Sequence, residues 1–207
     1  ELRTKRLGAH AFRLVLAFCG PILMFTALAT MPLADVTVII FGSPFLTTAL
    51  SVPIFKEKIG RHRWLAIIIG FVGVVVVLRP GIGLFEPVAI LALLAGVAFA
   101  SVNLTARWLR DTETTICITF YTMVGMAIMA SSALPFVWQP IPLNDLIIFA
   151  VMAVFTLIGY LGMTGAFVMA PVGVVAPFEY TVLIFAVILG FVIWGEVPDR
   201  FVWSGAA

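Results

Sequence analysis

The sequence predicts an all-α protein, a polytopic bundle of transmembrane helices, and three observations carry that expectation. Apolar residues make up 63% of the 207 and charged residues 11%, against roughly 45–50% and about 25% in soluble domains. The charges are spaced so that they leave long uncharged runs. Those runs approach or exceed the roughly 17–25 residues that a helix needs to cross a hydrocarbon core of about 30 Å. A mean hydropathy of +1.20, with 18 Phe, 8 Met and 5 Trp, leaves more apolar surface than one compact core could bury. So few charges do not keep a disordered chain solvated, and a net charge of +2 does not argue for nucleic acid.

Each element follows from one run. Leu14–Ala34 predicts a helix over 11–31, and Val36–Phe55 one over 33–55. Trp64–Leu78 predicts 64–79, and its IIIGFVGVVVVL stretch lacks the strict alternation of a membrane barrel strand. Pro87–Ala106 predicts 87–108, Thr114–Asn144 predicts 115–137, and Leu146–Phe178 with Tyr180–Gly195 predict 146–169 and 172–195. An eighth helix is expected to begin near Arg200 and to be cut off at Ala207. Glu1 is not an initiator Met, and a basic stretch leads straight into a full-length helix without the pattern of a signal peptide. The chain is therefore expected to be an internal piece of a longer protein.

The connections set an orientation. If the helices simply alternate, Arg3, Lys5, Arg6, Arg13, Lys56, Lys58, Arg61, Arg63, Arg107 and Arg110 fall on one side and only Arg79 and Arg200 on the other. Because basic residues are retained in the cytoplasm, the first helix is expected to run from inside to outside across the cell (inner) membrane.

Sliding the chain against itself by 139 residues pairs Pro32 with Pro171, Glu57 with Glu196, Arg61 with Arg200 and Trp64 with Trp203. Equivalent helices lie five apart, an odd number, so the two copies must have opposite topology, as in transporters built from inverted repeats. The parent is expected to hold about ten helices in two inverted five-helix repeats, with about eight present here. Residues 1–80 would be the C-terminal part of the first repeat, and 81–207 the second repeat, truncated in its last helix.

The stretch MPLADVTVIIFGSPFLTTALSVPIFKEKIG, followed by RWLAIIIGFVGVVVVLRPG, resembles the end of an EamA-type repeat of the drug/metabolite transporter superfamily. The marks are Pro44 within the span, Glu57 closing it, and a Gly-containing helix ending in Arg-Pro-Gly. APVGVVAPFEYTVLIFAVILGFVIWGEVPD is similar to the matching stretch of the second repeat, with Pro177 and Glu196 in similar roles. The resemblance covers nearly the whole chain. It implies a ten-helix fold, cytoplasmic termini, and movement of a small metabolite such as an amino acid, S-adenosylmethionine, riboflavin, a sugar or a drug. The first two helices of the family pattern lie outside the chain.

Glu179 is the leading candidate for the site. It is the only carboxyl well inside a predicted span, about seven residues or roughly 10 Å from its cytoplasmic end. A carboxylate at that depth is costly, and such groups face a cavity or a partner. With no Lys or Arg expected deep in another span, Glu179 would be protonated at rest or meet a cationic substrate; the alternative is a carboxyl hydrogen-bonded to a neighbouring helix for packing. Pro44, Pro53 and Pro177 interrupt the two repeat-related spans, although Pro is also common in membrane helices generally. Thr37, Ser43, Thr47 and Ser51 recur at helical spacing and would line a polar path or satisfy backbone carbonyls. Tyr121 and Tyr180 would stack on a heterocyclic solute or simply pack. Trp64, Trp108, Trp138, Trp194 and Trp203 fit an interfacial belt, while Gly159, Gly162 and Gly165 fit close helix packing.

Other chemistries are set aside. Cys19 and Cys117 lie in separate spans and suggest neither a zinc site nor a disulfide framework. His10 and His62 fall in basic segments expected to be solvated. No zinc-protease, serine-hydrolase or phosphate-loop motif is present, and Gly81 and Gly83 read as a turn. No cofactor and no metal are expected, and the protein is not read as an enzyme. The expected function is a secondary transporter of a small metabolite or drug-like solute, working by alternating access, with protons as the candidate coupling ion. A non-transporting membrane scaffold or receptor is the alternative. Its partners are the lipid bilayer and the solute.

Overall fold

Prolines set several of the helix ends. In the computed structural model, which describes residues 2, 4–78, 87–137 and 142–195, α1 (Leu7–Leu28) stops shortly before Pro32. Pro32 is extended, at φ −55° and ψ 142°, and opens α2 (Leu33–Ile40). After a turn at Phe41–Gly42, α3 runs over Ser43–Phe55. Then come α4 (Arg61–Leu78), α5 (Ala89–Leu109), α6 (Thr115–Val137) and α7 (Leu143–Met169). Ala170 is extended, as a residue before proline prefers, and Pro171, at φ −58° and ψ 140°, opens α8 (Val172–Val175). A 3-10 turn over Ala176–Tyr180 leads into α9 (Thr181–Trp194). The eighth helix expected near Arg200, and Arg79, Gly81, Gly83, Trp138, Glu196 and Trp203, lie outside the described residues.

The fold is all-α among the described residues. Among the described residues, five stretches are long and apolar enough to span a membrane: Leu7–Leu28, Asp35–Phe55, Ala89–Leu109, Thr115–Phe136 and Asp145–Met169. Two expected spans are not continuous helices. The one over 33–55 breaks at Phe41–Gly42, so Pro44 occupies the first turn of α3, where its missing N–H leaves no helical bond unmade. The one over 172–195 is α-helical for one turn only, then 3-10 with Pro177 in its own first turn. Pro53, by contrast, sits inside α3 without ending it.

α5 is the central element. Ala89, Ala92, Ala95, Ala98 and Ala100 are buried along it, and small side chains let neighbouring helices approach where lipid provides no hydrophobic drive between them. α1 packs along α5 most extensively, with α2, α3 and α7 also against it. One cluster, Ala27, Met31, Val36, Ala89 and Ala92, joins α1, α2 and α5. A second, Leu104, Ala106, Phe167 and Val172, joins α5, α7 and α8. Beside it the Arg107 Nε stands 3.4 Å from Glu57 Oε1, and the Val172 N–H donates to that same carboxylate. Glu57 therefore ties the ends of α3, α5 and α8 together. α7 exposes Ile147, Phe149, Phe155 and Ile158, the surface expected of a span facing lipid.

Candidate functional site

The two broken spans meet α5 and α7 around an open cavity of about 740 Å³. Ser43 and Pro44 reach it from the start of α3, Glu179 from the 3-10 turn, and Asn103 from α5. Asn103 Nδ2 donates to Glu179 Oε1 at 3.0 Å. Phe41, Phe99, Tyr160, Phe178 and Phe185 line it together with aliphatic neighbours such as Ile40, Val102, Met163 and Val182. The polar pair thus faces an apolar wall rich in aromatic rings, the composition of a site that holds a small solute by its apolar surface and orients it by one or two polar contacts.

The break in the last span aims Glu179. A 3-10 turn winds the chain more tightly than an α-helix, and Tyr180, next in sequence, lies outside the cavity lining. Its ring packs with Val38 and Ile67, lies 6.3 Å from the Phe41 ring, and covers Gly70 so closely that a Cβ there would overlap it. Gly70 is therefore the surface against which the turn is seated.

Arg13 lies just behind the cavity wall. It is 1% exposed and joins four helices: Nε donates to Thr122 Oγ1 at 3.1 Å, Nη1 to Thr105 Oγ1 at 2.8 Å and to the Val102 carbonyl, and Nη2 to the Tyr160 hydroxyl at 3.1 Å. Its guanidinium also sits 5.8 Å from the Tyr160 ring centroid, within cation–π range. The expectation that no Arg lies deep in a span is corrected here. α1 begins at Leu7 rather than near residue 11, which carries Arg13 nearly two turns inside. Val102 and Asn103 are consecutive on α5, so the backbone that accepts from Arg13 also carries the donor to Glu179.

The other expected site residues are distributed more widely. Thr47 is fully buried on α3 and donates to the Ser43 carbonyl one turn back, away from the cavity. Ser51 does the same to Thr48, and Thr37, which is half-buried, to Leu33. Pro177 shapes the turn without lining the cavity. Tyr121 is remote: it stacks on His10 with ring centroids 4.6 Å apart and donates to the Leu2 carbonyl. His10, expected in a solvated segment, is buried at 4% exposure, because α1 includes it and α6 covers it. Sequence reasoning missed Asn103, Tyr160 and Arg13. Asn103 sits between Ser101 and Thr105, Tyr160 lies in an apolar run, and Arg13 falls near the expected start of its helix, so none of them stood out from its neighbours.

The sequence profile described as the EamA-like transporter family matches residues 1–79 and 87–207. The chain belongs to that family. It is a family of membrane transporters, not enzymes. Among relatives, the S-adenosylmethionine uptake transporter of Rickettsia bellii is 31% identical over 206 residues, 99% of this chain and 70% of the relative. The riboflavin transporter of Vibrio cholerae is 28% identical over 209 residues, 100% of this chain and 70% of the relative. The pseudopaline exporter of Pseudomonas aeruginosa is 27% identical over 186 residues, covering 87% and 64%. A solved crystal structure superposes with a TM-score of 0.77 at 18% identity, over 99% of this chain and 75% of that one; it shares the fold. In this EamA-family chain the cavity is formed jointly by the broken spans, and Glu179 is the carboxylate that reaches it.

Proposed function

We propose that this EamA-family chain is the larger part of a secondary transporter that moves a small solute with a flat heteroaromatic ring across the cytoplasmic membrane by alternating access. The observation that carries this reading is the Glu179–Asn103 pair inside an aromatic-walled cavity at the breaks of two spans. Phe41, Phe99, Tyr160, Phe178 and Phe185 offer faces for stacking, while Glu179 offers charge or a proton site. S-adenosylmethionine and riboflavin, named for two relatives, both carry a fused heteroaromatic ring that such walls suit. Two inverted halves, 1–80 and 81–207, within a ten-helix parent would rock about this cavity. The pairing of Pro32 with Pro171, both extended and both opening a span that soon breaks, supports that symmetry. The distribution of basic residues supports cytoplasmic placement of the loops that carry Lys56 and Arg110.

The test uses the full-length protein in proteoliposomes containing a pH dye, with S-adenosylmethionine and riboflavin added separately. A solute-dependent proton flux that disappears in Glu179→Gln supports coupled transport through that carboxyl. Solute uptake without proton flux, unchanged in Glu179→Gln, keeps transport and removes Glu179 from it. Uptake of neither solute removes the substrate class and favours a scaffold or receptor.

A further inference from the structure

A second cluster of ionisable side chains stands near the start of α1, among residues that do not line the cavity. Glu113, in the connection between α5 and α6, and Cys117, one turn later on α6, are four residues apart and share a face. Cys117 Sγ lies 3.2 Å from Glu113 Oε2. From α1, His10 Nε2 comes to 3.9 Å from Glu113 Oε1. One donor atom from each of the three residues falls within 4.8 Å of the others, and all three side chains are buried. Both ring nitrogens of His10 are buried without a hydrogen-bond partner, an unusual condition for an imidazole.

We propose that His10, Glu113 and Cys117 bind a zinc ion that fastens α1 to α6. Thiolate, imidazole and carboxylate together form a zinc donor set, with bonds of about 2.3 Å to sulfur and 2.0–2.2 Å to nitrogen and oxygen. Tetrahedral bonds of that length put neighbouring donors roughly 3.3–3.6 Å apart, so donors now within 4.8 Å of one another must draw together on binding, the most separated by about 1 Å. The thiolate disfavours magnesium and calcium, and the carboxylate disfavours cuprous copper. On binding, the Cys117 thiol loses its proton to water as the sulfur–zinc bond forms, and the two anionic ligands then neutralise the ion's charge.

The surroundings support this chemistry. Thr4 Oγ1 donates to Glu113 Oε1, which orients the carboxylate. Burial alone would raise the Glu113 carboxyl, but the hydrogen bonds from Thr4 and Cys117 and the neighbouring His10 and Arg6 outweigh it and hold it below the usual value. A cavity of about 380 Å³, lined by Lys5, Arg6, Thr112 and Glu113, opens beside the cluster. It gives an ion a route in and a fourth ligand, water. Lys5 and Arg6 at that opening slow a cation's approach, whereas the Arg13 guanidinium on the next turn of α1 is engaged by Thr122, Thr105 and Tyr160.

The experiment titrates metal-stripped full-length protein in detergent with cobalt(II), which reports tetrahedral thiolate ligation by its charge-transfer absorption, and then displaces it with zinc. The expected result is one equivalent of thiolate-bound cobalt, released by zinc, and a melting temperature raised by zinc through mass action. Cys117→Ser removes the absorption, and His10→Gln weakens binding at least ten-fold. Size-exclusion profiles and the zinc-free melting temperature establish that both variants are folded. If Cys117→Ser fails to fold, the assignment rests on His10→Gln. No charge-transfer absorption in the unmodified protein overturns the proposal, as does absorption that persists undiminished in folded Cys117→Ser or unaltered affinity in folded His10→Gln.

Discussion

Asn103 on α5 and Glu179 in the 3-10 turn are joined by a 3.0 Å hydrogen bond across the cavity. The bond links the continuous central helix to the broken one. Asn103→Ala removes the donor and leaves the carboxyl facing an apolar wall, and a hydrogen bond to a charged group is worth about 1.5–3 kcal/mol. Solute uptake in proteoliposomes is expected to fall roughly ten-fold or more, beyond what the accompanying drop in melting temperature explains. A large loss of stability with transport intact per folded molecule would make the bond structural.

Arg13 serves four acceptors on three other helices. Arg13→Lys keeps a cation but offers a compact ammonium in place of a planar fork, and unmade buried hydrogen bonds cost about 1–3 kcal/mol each. The melting temperature in detergent is expected to drop for Lys and further for Ala. Equal stability of all three proteins would show that the node contributes nothing.

Tyr160 separates Arg13 from the cavity. Tyr160→Phe keeps the ring on the cavity wall and removes only the hydroxyl that accepts from Arg13. Its expected effect is a stability loss of about 1 kcal/mol with solute affinity nearly unchanged. Tyr160→Ala is expected to lose affinity as well. Isotherms for the two variants, compared side by side, separate wall from anchor.

Gly70 seats Tyr180. Gly70→Ala forces the ring to shift, and overpacking of this kind costs about 1–3 kcal/mol. Because Tyr180 adjoins Glu179, the turn is displaced too, and uptake is expected to fall more than stability alone explains. Gly162, whose Cβ position is open, provides the control: Gly162→Ala is expected to be neutral in both assays.

The spans were legible because charge is costly in hydrocarbon, so gaps between charges mark helices; those over 115–137 and 146–169 fall within a few residues of α6 and α7. The breaks at Phe41–Gly42 and Ala176–Tyr180 were legible only as prolines nearby. Whether proline kinks a helix or starts a new one depends on which neighbours satisfy the freed carbonyls, and that is tertiary. Glu179 stood out by its charge, whereas Asn103 and Tyr160 carry none and blend into apolar runs. Arg13 was misjudged for a related reason. An arginine near a helix end resembles an interfacial residue until the partners that bury it, 89 to 147 positions later, are known.

That sequence separation orders the birth of the protein. When α1 leaves the ribosome, the hydroxyls and carbonyl that receive Arg13 have not yet been made, and a bare guanidinium is expensive in lipid. Its long side chain can still reach water by snorkelling. The nascent helix is thus held high in the bilayer, and it settles to its final depth only as α5, α6 and α7 arrive. Glycosylation-distance mapping on chains truncated after Leu78 should find α1 shallower than in the complete protein. An identical depth in both would mean that α1 places itself unaided.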